Sequence, residues 1–290
     1  GSTLKNGEEL IIAPLPVYHI YTFTVNCLFL METGNHSLLI TNPRDLDAFV
    51  KELKGLPFTA FIGLNTLFNA LCNRDDFKQL DFSKLHLTIS GGMALTSATA
   101  KRWKEVTGCD VAEGYGLTET SPIVSFNPVN ASKLGSIGKP VAGTAVKVVD
   151  GDGNDLEFGQ PGELCVQGPQ VMKGYWQREE ETANAIDAEG WFHTGDIAVI
   201  DDDGYIRIVD RKKDMINVGG MNVYPREIEE QLYKHPKIRE AAVVATKDEL
   251  RGEIPKAVIV LKDDENATER EIQKYCMQYF ANYKVPKLVD

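Results

Sequence analysis

The chain has 290 residues, of which 43% are hydrophobic and 25% charged, and its formal net charge is −11. This composition is ordinary for a soluble globular protein and excludes fibrous and disordered classes, while the acidic charge argues against a nucleic-acid binder that depends on a general positive field. The five cysteines include no CxxC pair, which argues against a disulfide scaffold or a zinc site and favours a reducing cytoplasm.

The most apolar stretch, residues 10–31, is interrupted by Pro14, Pro16, His19 and Asn26. A membrane-spanning helix needs about 20 apolar residues with few polar interruptions. The sequence therefore predicts a cytoplasmic protein, and peripheral contact with the inner membrane stays open.

Residues 1–129 alternate apolar runs with helical patterns, which indicates a partial α/β layered subdomain. The predicted elements are a strand at 11–15, a helix at 45–53, a strand at 58–63, a helix at 66–72, a strand at 85–90 and a helix at 96–106. Gly91-Gly92 forms the turn before the last helix, and Thr96 or Ser97 is its expected N-cap.

Residues 130–210 consist of short alternating segments between turn clusters, which is typical of hairpins in a small β-barrel subdomain. The predicted strands are 145–149, 162–167, 197–200 and 205–209. Residues 150–155 place oxygen-bearing side chains at alternating positions, as a calcium loop does. The sixth position lacks glycine, however, and Pro161 stands where a bidentate glutamate belongs, so a hairpin turn is expected.

Residues 211–290 are predicted to form a small, truncated α+β domain. Its elements are a helix that begins at Pro225 and runs through Leu232, strands at 240–245 and 256–261, and a helix at 268–279. Thr268 is the expected N-cap of that last helix. The fold class is therefore α/β and multidomain.

The strongest functional pattern is the octet at 113–120, Glu-Gly-Tyr-Gly-Leu-Thr-Glu-Thr. Its two glycines allow close approach of a ligand, and the ring of Tyr115 can stack on a base. The hydroxyl of Thr118 lies one residue before the carboxylate of Glu119, which pairs a phosphate donor with a ligand for a divalent metal. On chemistry alone, a surface loop with a chance Gly-Tyr-Gly is an equal alternative.

The octet resembles the signature of the adenylate-forming superfamily, which includes acyl-CoA synthetases, luciferases and peptide-synthetase adenylation domains. The resemblance implies that Tyr115 packs on adenine, that Thr118 contacts a phosphate and that Glu119 holds Mg²⁺. It also implies that Glu113 and Gly116 line the nucleotide site.

Further segments resemble the same superfamily in the same order. Residues 90–93 resemble the turn that passes along the adenine, with Gly91, Gly92 and Met93 at the nucleotide; alone, this segment is equally a tight turn. Residues 191–196 resemble the segment whose aspartate, here Asp196, accepts both ribose hydroxyls.

Residues 210–216 resemble the hinge between the large and small domains, although a charged run of this kind is alone a solvated turn. The resemblance implies that Arg211 reaches the ribose and that Lys213 is the hinge residue. Gly219-Gly220 resembles the loop that approaches the pantetheine of coenzyme A.

Residues 14–19 resemble the motif in which a histidine or an aromatic residue lines the acyl pocket, a role that falls to His19. The alternative is a histidine satisfied within the core. Residues 162–166 and 173–176 match a motif of the family that is mostly structural.

The resemblance extends over essentially the whole chain and is closest to bacterial long-chain fatty acyl-CoA synthetases, on the phrases at 168–176 and 209–216. It implies an acid–thiol ligase that binds ATP or AMP, Mg²⁺ and coenzyme A, converts a fatty acid into an acyl-adenylate and transfers the acyl group to coenzyme A, with Thr118, Glu119 and Lys213 as catalytic residues. No nucleic-acid partner is expected.

The family's Ser/Thr/Gly-rich phosphate loop and its late lysine are not found in this sequence. We therefore expect a C-terminal fragment with little activity of its own. Two alternatives stay open: a non-catalytic nucleotide- or acyl-binding module, and an adenylation domain for another carboxylate substrate.

Overall fold

A computed structural model describes residues 4–128 and 131–290. The chain folds into two compact units: unit 1 comprises Gly1–Lys147, Cys165–Thr194 and Ile200–Arg207, and unit 2 comprises Val148–Leu164, Gly195–Val199 and Ile208–Asp290. The predicted boundary between residues 129 and 130 lies outside the described residues, and the division into three zones stays a prediction.

The strands of the first sheet all lie in unit 1. They are β1 (Leu10–Ala13), β2 (His36–Leu39), β3 (Ala60–Gly63), β4 (Leu87–Ser90), β5 (Val111–Gly116), β6 (Ile123–Phe126) and β7 (Lys139–Pro140). They pair in the order β2-β1-β3-β4-β5-β6-β7. Strands β1 to β5 run parallel, whereas β6 and β7 are antiparallel to their neighbours. The predicted α/β layer is therefore present.

Helices connect the parallel strands. They are α1 (Ile20–Thr22), which continues through a π-helical stretch (Phe23–Phe29) into α2 (Leu30–Thr33), then α3 (Leu46–Leu53), α4 (Asn65–Cys72), α5 (Asp75–Lys78) and α6 (Ser97–Thr107). Thr96 is the N-cap of α6, since its hydroxyl accepts the amide of Thr99 at 3.2 Å. The helix ends at Thr107 and is capped by Gly108, which adopts φ 75°.

An aromatic cluster forms the main core of unit 1. Five of its members have exposed fractions of 0–1%: Phe49, Phe58, Phe61, Phe68 and Trp103. They come from α3, β3, α4, α6 and the segment before β3. Burial of these rings, which removes a large apolar area from water, holds the helices against one face of the sheet.

Glu9 is a buried carboxylate at the start of β1. Its side chain is 3% exposed, accepts the amide of Lys5 at 2.7 Å and lies 3.0 Å from Nε2 of His86. Burial raises the pKa of Glu9, but hydrogen bonds from Thr59, the Lys5 amide and His86 together hold this pKa below its usual 4.5. The ionised form therefore stabilises the folded state above pH 4.5, and this contribution is lost as the pH falls through the lowered pKa.

Glu9→Gln is accordingly expected to lower the free energy of unfolding by about 1–2 kcal/mol at neutral pH. The variant and the parent are expected to converge in acid, where both side chains are neutral. Urea unfolding at neutral and acidic pH measures the difference. A loss of equal size at both pH values would contradict the role of the ionised carboxylate.

The strands of the middle zone are β8 (Ala145–Val149), β9 (Gly162–Gln167), β10 (Phe192–Ile200) and β11 (Ile206–Arg211). They pair in the order β11-β10-β9-β8. The first two match the predicted strands, but β10 begins earlier and β11 ends later than expected. Residues 192–196 and 210–211, which lie outside the predicted strands, are thus strand. Helix α7 (Glu179–Ala185) lies between β9 and β10 in the chain.

The turn after β8 is the predicted hairpin turn. The carboxylate of Asp150 accepts the amides of Asp152 and Asn154, each at 2.9 Å. The carboxylate is therefore already engaged within its own turn.

Unit 2 contains a mainly antiparallel sheet with two helices. Its strands are β12 (Ile216–Val218), β13 (Met221–Val223), β14 (Ile238–Asp248), β15 (Gly252–Leu261) and β16 (Leu288–Val289), and its helices are α8 (Pro225–Leu232) and α9 (Glu269–Cys276). The order is β13-β12-β15-β14, and β16 pairs in parallel with β15. The predicted α+β unit is therefore present.

Local signals at the two helix starts are confirmed. Pro225 occupies the first turn of α8. Thr268 caps α9, where it forms a reciprocal pair with Glu271. The helix ends at Cys276 rather than at Tyr279. In residues 4–128 and 131–290, no helix has the length and apolar character required to cross a membrane.

Candidate nucleotide-binding site

The motif segments of unit 1 follow the carboxyl ends of neighbouring parallel strands. In the sheet register, Gly63 at the end of β3 lies beside Ser90 at the end of β4, and Ser90 lies beside Glu113 of β5. Because these strands are parallel, the Gly91-Gly92 turn and the octet leave the sheet at the same edge. Ligands of open α/β sheets bind at this edge. The sequence motifs alone did not predict that the Gly91-Gly92 turn and the octet lie at the same edge of the sheet.

Strand β5 continues three residues beyond its pairing with β4. Residues 114–116 pair with β6 instead, and Tyr115 is half-buried there. Gly116 cannot carry a side chain, since a Cβ would lie 1.9 Å from the carbonyl oxygen of Pro122. The glycine therefore lets β5 pass close to the following backbone.

Thr118, Glu119 and Thr120 form one 3₁₀ turn directly after β5. Thr120 is fully buried; its hydroxyl accepts the amide of Leu117 at 3.0 Å and donates to the carbonyl of Pro122. The buried side chain of Thr120 therefore stabilises the turn from its interior side. Thr118 is exposed and Glu119 is half-buried, so the hydroxyl and the carboxylate predicted to meet phosphate and metal both reach the surface.

The carboxylate of Glu119 is held by a tyrosine that is distant in sequence. The hydroxyl of Tyr175 donates to Oε1 of Glu119 at 2.9 Å, and the amide of Met172 donates to the Glu119 carbonyl at 2.7 Å. Burial raises the pKa of Tyr175, and the hydrogen bond to Glu119 with its negative charge raises it further. The interpretation of residues 173–176 as mostly structural misses this contact.

Glu119 suits Mg²⁺ that arrives with a nucleotide. Over the described residues, no group of three or more His, Cys, Asp or Glu side chains could hold a metal ion by itself. Mg²⁺ is usually bound by one or two carboxylates, substrate phosphates and water rather than by an all-protein cage. A single half-buried carboxylate beside the exposed hydroxyl of Thr118 fits this pattern.

Glu113 is buried within the same edge of the sheet, with 8% exposure. Its carboxylate accepts the amide of Gly135 at 3.1 Å, and its carbonyl accepts the amide of Asn127 at 2.9 Å. Glu113 thus joins β5 to the segment before β7. Its predicted contact with a nucleotide stays a prediction.

The turn after β4 packs tightly on Tyr21. A Cβ on Gly91 would lie 3.2 Å from the Tyr21 ring, and Gly92 adopts φ +78°, which favours glycine. Met93 is 46% exposed. Across residues 4–128 and 131–290, the buried hydroxyls of Ser90 and Tyr21 find no hydrogen-bond partner. Burial also raises the pKa of Tyr21, so its hydroxyl stays protonated.

His19 follows β1 at the same edge of the sheet. It is exposed, and its Nδ1 accepts the amide of Tyr21 at 3.3 Å, which caps α1. A local capping role therefore accounts for this histidine, and the predicted role in an acyl pocket stays a prediction.

In unit 2, the structure brings the two predicted ribose ligands together. Asp196 of β10 is 15% exposed, and its Oδ1 lies 3.9 Å from Nε of Arg211, at the end of β11. The neighbouring strand β9 contributes Glu163, which accepts the amide of Gly195 at 3.2 Å and pairs with Lys212 at 2.8 Å. Glu163 therefore holds the backbone amide just before Asp196 and the side chain of Lys212 just after Arg211.

Asp210 connects the predicted hinge to α8. Its Oδ1 accepts the amide of Arg211 at 2.7 Å, and its Oδ2 accepts the amide of Arg226 at 2.9 Å. Lys213 lies between these two anchor points in an exposed 3₁₀ turn (Lys212–Asp214). Its hinge function stays a prediction.

Gly219 and Gly220 form the turn between β12 and β13, with φ of 60° and 89°. The amide of Gly219 donates to the carbonyl of Arg251 at 2.8 Å, and the amide of Gly220 donates to Asn217 at 2.7 Å. Both positions require the left-handed conformation that glycine adopts without strain. A cavity of about 300 Å³ beside the turn is lined by Val218, Gly219, Met221, Arg251, Asn282 and Tyr283.

Tyr115, Thr118 and Glu119 lie in unit 1, whereas Asp196, Arg211 and the Gly219-Gly220 turn lie in unit 2. Each group has a defined local geometry. That both groups surround one mononucleotide stays a prediction.

Two family models match the chain. The model described as AMP-binding enzyme matches residues 2–176, and the model described as AMP-binding enzyme C-terminal domain matches residues 227–290.

Relatives cover the chain over its full length. A long-chain-fatty-acid–CoA ligase of Escherichia coli O157:H7 is 53% identical over 291 residues, which is 100% of this chain and 52% of the relative. A ligase of the same name from Yersinia pestis is 53% identical over 99% of this chain and 51% of its own length. The chain thus spans about half the length of these curated relatives.

Solved structures share the fold. The crystal structure of ATP-bound MatB from Rhodopseudomonas palustris superposes with a TM-score of 0.88 at 30% identity, over 98% of this chain and 56% of that one. The larger family model alone spans more than half of the sequence, and its match includes the sheet edge and the octet. The chain therefore belongs to the AMP-binding enzyme family.

Proposed function

We propose that this chain is part of a fatty acid–CoA ligase, which activates a fatty acid with ATP and transfers the acyl group to coenzyme A. The observation that carries the proposal is the position of Thr118 and Glu119 after β5, at the edge of the sheet where ligands bind. The names of the relatives supply the substrate class, a long-chain fatty acid.

In the proposed first step, an oxygen of the fatty carboxylate attacks the α-phosphorus of ATP, and pyrophosphate leaves. Tyr115 stacks on the adenine, and the hydroxyl of Thr118 donates to a phosphate oxygen. Asp196 accepts the ribose hydroxyls and Arg211 contacts the ribose. Bound Mg²⁺ neutralises phosphate charge, and Glu119 is the residue that would hold it.

In the second step, the thiolate of coenzyme A attacks the acyl carbon and AMP leaves. The Gly219-Gly220 turn offers an uncrowded backbone for the pantetheine, since nothing lies within 4 Å of a Cβ at either glycine. We propose that residues after Lys213 rotate between the two steps. Such domain rotation lets one cleft serve two reactions.

Lys213→Pro tests the hinge in the full-length protein. Proline fixes φ near −65° and removes a backbone donor, so it restricts rotation at this residue. We expect thioester formation to fall several-fold more than pyrophosphate exchange. Lys213→Ala, which removes the charge but leaves the backbone free, is the matched control and is expected to keep the ratio of the two rates. Equal losses in both steps would contradict the hinge.

The substrate class is tested by ATP–pyrophosphate exchange with the full-length protein, using long-chain fatty acids, aromatic acids and amino acids. Exchange that depends on fatty acid, followed by acyl-CoA release, supports the ligase. Exchange that depends on another carboxylate supports the alternative adenylation domain. AMP binding in calorimetry without exchange supports a non-catalytic module.

The proposed location is the cytoplasm, with peripheral contact at the inner membrane. Exposed apolar side chains on the segment around α1 and α2 are compatible with such contact: Tyr18, Leu28 and Met31 are 90%, 52% and 79% exposed.

A further inference from the structure

Two residues of the segment 172–175 donate hydrogen bonds to Glu119. The amide of Met172 donates to its main-chain carbonyl at 2.7 Å, and the hydroxyl of Tyr175 donates to Oε1 of its side chain at 2.9 Å. Within residues 4–128 and 131–290, Tyr175 is the donor that reaches this carboxylate. Backbone and side chain of Glu119 are therefore both oriented by a segment whose tyrosine lies 56 positions further along the chain.

Tyr175 is held in position by a hydrogen bond from its main chain to α7. Its amide donates to Oγ1 of Thr182 in α7 at 2.9 Å, and the Thr182 hydroxyl donates to the carbonyl of Arg178 at 2.7 Å. Gly174 adopts φ +148°, and a Cβ there would lie 2.6 Å from Cγ2 of Thr182. The chain can approach α7 this closely only with glycine at 174, and the approach directs the tyrosine ring toward Glu119.

An unsupported glutamate on a surface turn samples many rotamers. A hydrogen bond to one oxygen restricts them and defines which oxygen faces outward. Here the Tyr175 hydroxyl engages Oε1, while no hydrogen bond or ion pair from residues 4–128 and 131–290 engages Oε2. Replacing a residue that orients a metal-binding carboxylate in this way typically lowers metal affinity by about 10–100-fold.

We propose that Tyr175 is a positioning residue for Glu119: anchored on α7 through Thr182, it orients the carboxylate toward the divalent cation that accompanies ATP. This inference rests on the proposed function, in which Glu119 holds that cation. It assigns a role to the segment 172–175, which otherwise belongs to the scaffold.

The test is Tyr175→Phe in the full-length protein, since this change removes only the hydroxyl. Mn²⁺ serves as the probe, and its binding in the presence of a non-hydrolysable ATP analogue is measured by electron paramagnetic resonance, without turnover. We expect Mn²⁺ affinity to fall about tenfold. The Mg²⁺ concentration for half-maximal pyrophosphate exchange should rise by the same factor, with kcat at saturating Mg²⁺ close to the parent value.

Trp176→Phe is the matched control, because it changes the adjacent aromatic residue, which is 87% exposed. Its Mn²⁺ affinity is expected to equal that of the parent. The double variant Glu119→Gln with Tyr175→Phe separates positioning from scaffold effects. It should bind Mn²⁺ no more weakly than Glu119→Gln alone, since the tyrosine acts through the carboxylate.

Three results would overturn the inference: unchanged Mn²⁺ affinity in Tyr175→Phe, a loss of kcat that saturating Mg²⁺ leaves in place, or a further loss of Mn²⁺ binding in the double variant. These failures are distinct from failure of the proposed function. If the parent protein shows no exchange with any fatty acid, the ligase proposal falls, while Mn²⁺ binding with the nucleotide analogue still decides the role of Tyr175.

Discussion

Glu119→Gln is expected to slow adenylate formation by about 10²–10³-fold in the full-length protein, the loss typical of removing one preorganised electrostatic group. Glutamine keeps the size of the side chain and an oxygen that can accept the Tyr175 hydroxyl. It removes the negative charge that a divalent cation requires. Pyrophosphate exchange at saturating ATP and fatty acid measures the effect.

Glu105→Gln is the control, since it makes the same substitution at an exposed position of α6. It is expected to leave the exchange rate unchanged. If Glu119→Gln exchanged pyrophosphate as fast as this control, the carboxylate could not be the metal ligand, and the interpretation of the octet would fail with it.

Trp103→Ala is expected to lower the free energy of unfolding by about 3–5 kcal/mol. The side chain is fully buried. The centroid of its ring lies 4.6 Å from the ring centroid of Phe68 and 5.1 Å from that of Phe61. Its Nε1 donates to the hydroxyl of Thr88 at 3.0 Å. The truncation leaves a large cavity and a buried hydroxyl without its donor. Urea unfolding followed by circular dichroism measures the loss.

Trp176→Ala is the matched control, because the same substitution falls on a side chain that is 87% exposed. It is expected to change stability by about 0.5 kcal/mol or less. A Trp103 variant as stable as the Trp176 variant would mean that the aromatic cluster does not hold unit 1 together.

Several elements could be predicted because their signals are local. Thr96 and Thr268 cap their helices through bonds to amides three residues away. Pro225 opens α8, and the carboxylate of Asp150 closes its own turn. In each case the deciding atoms lie within one turn of the backbone, so a short stretch of sequence contains the whole interaction.

Other elements escape prediction where tertiary packing overrides the local pattern. Residues 20–33 carry no helix signal, yet α1, the π-helical stretch and α2 run through them. Leu30 is buried there against Ile11 and Ile62 of the sheet, and this burial stabilises a helix that propensity does not favour. Residues 192–196 lie outside the predicted strands, yet pairing with neighbouring strands keeps them in β10 despite Gly195.

The sequence by itself determined the family, the expected ligand chemistry of each motif and most helix starts, since these depend on residue types at fixed short spacings. Only the tertiary structure decided which motif residues are held by which partners. Tyr175 meets Glu119 across 56 residues and Lys212 meets Glu163 across 49. Such contacts follow from strand order and register, which long-range packing sets and which no short segment of sequence encodes.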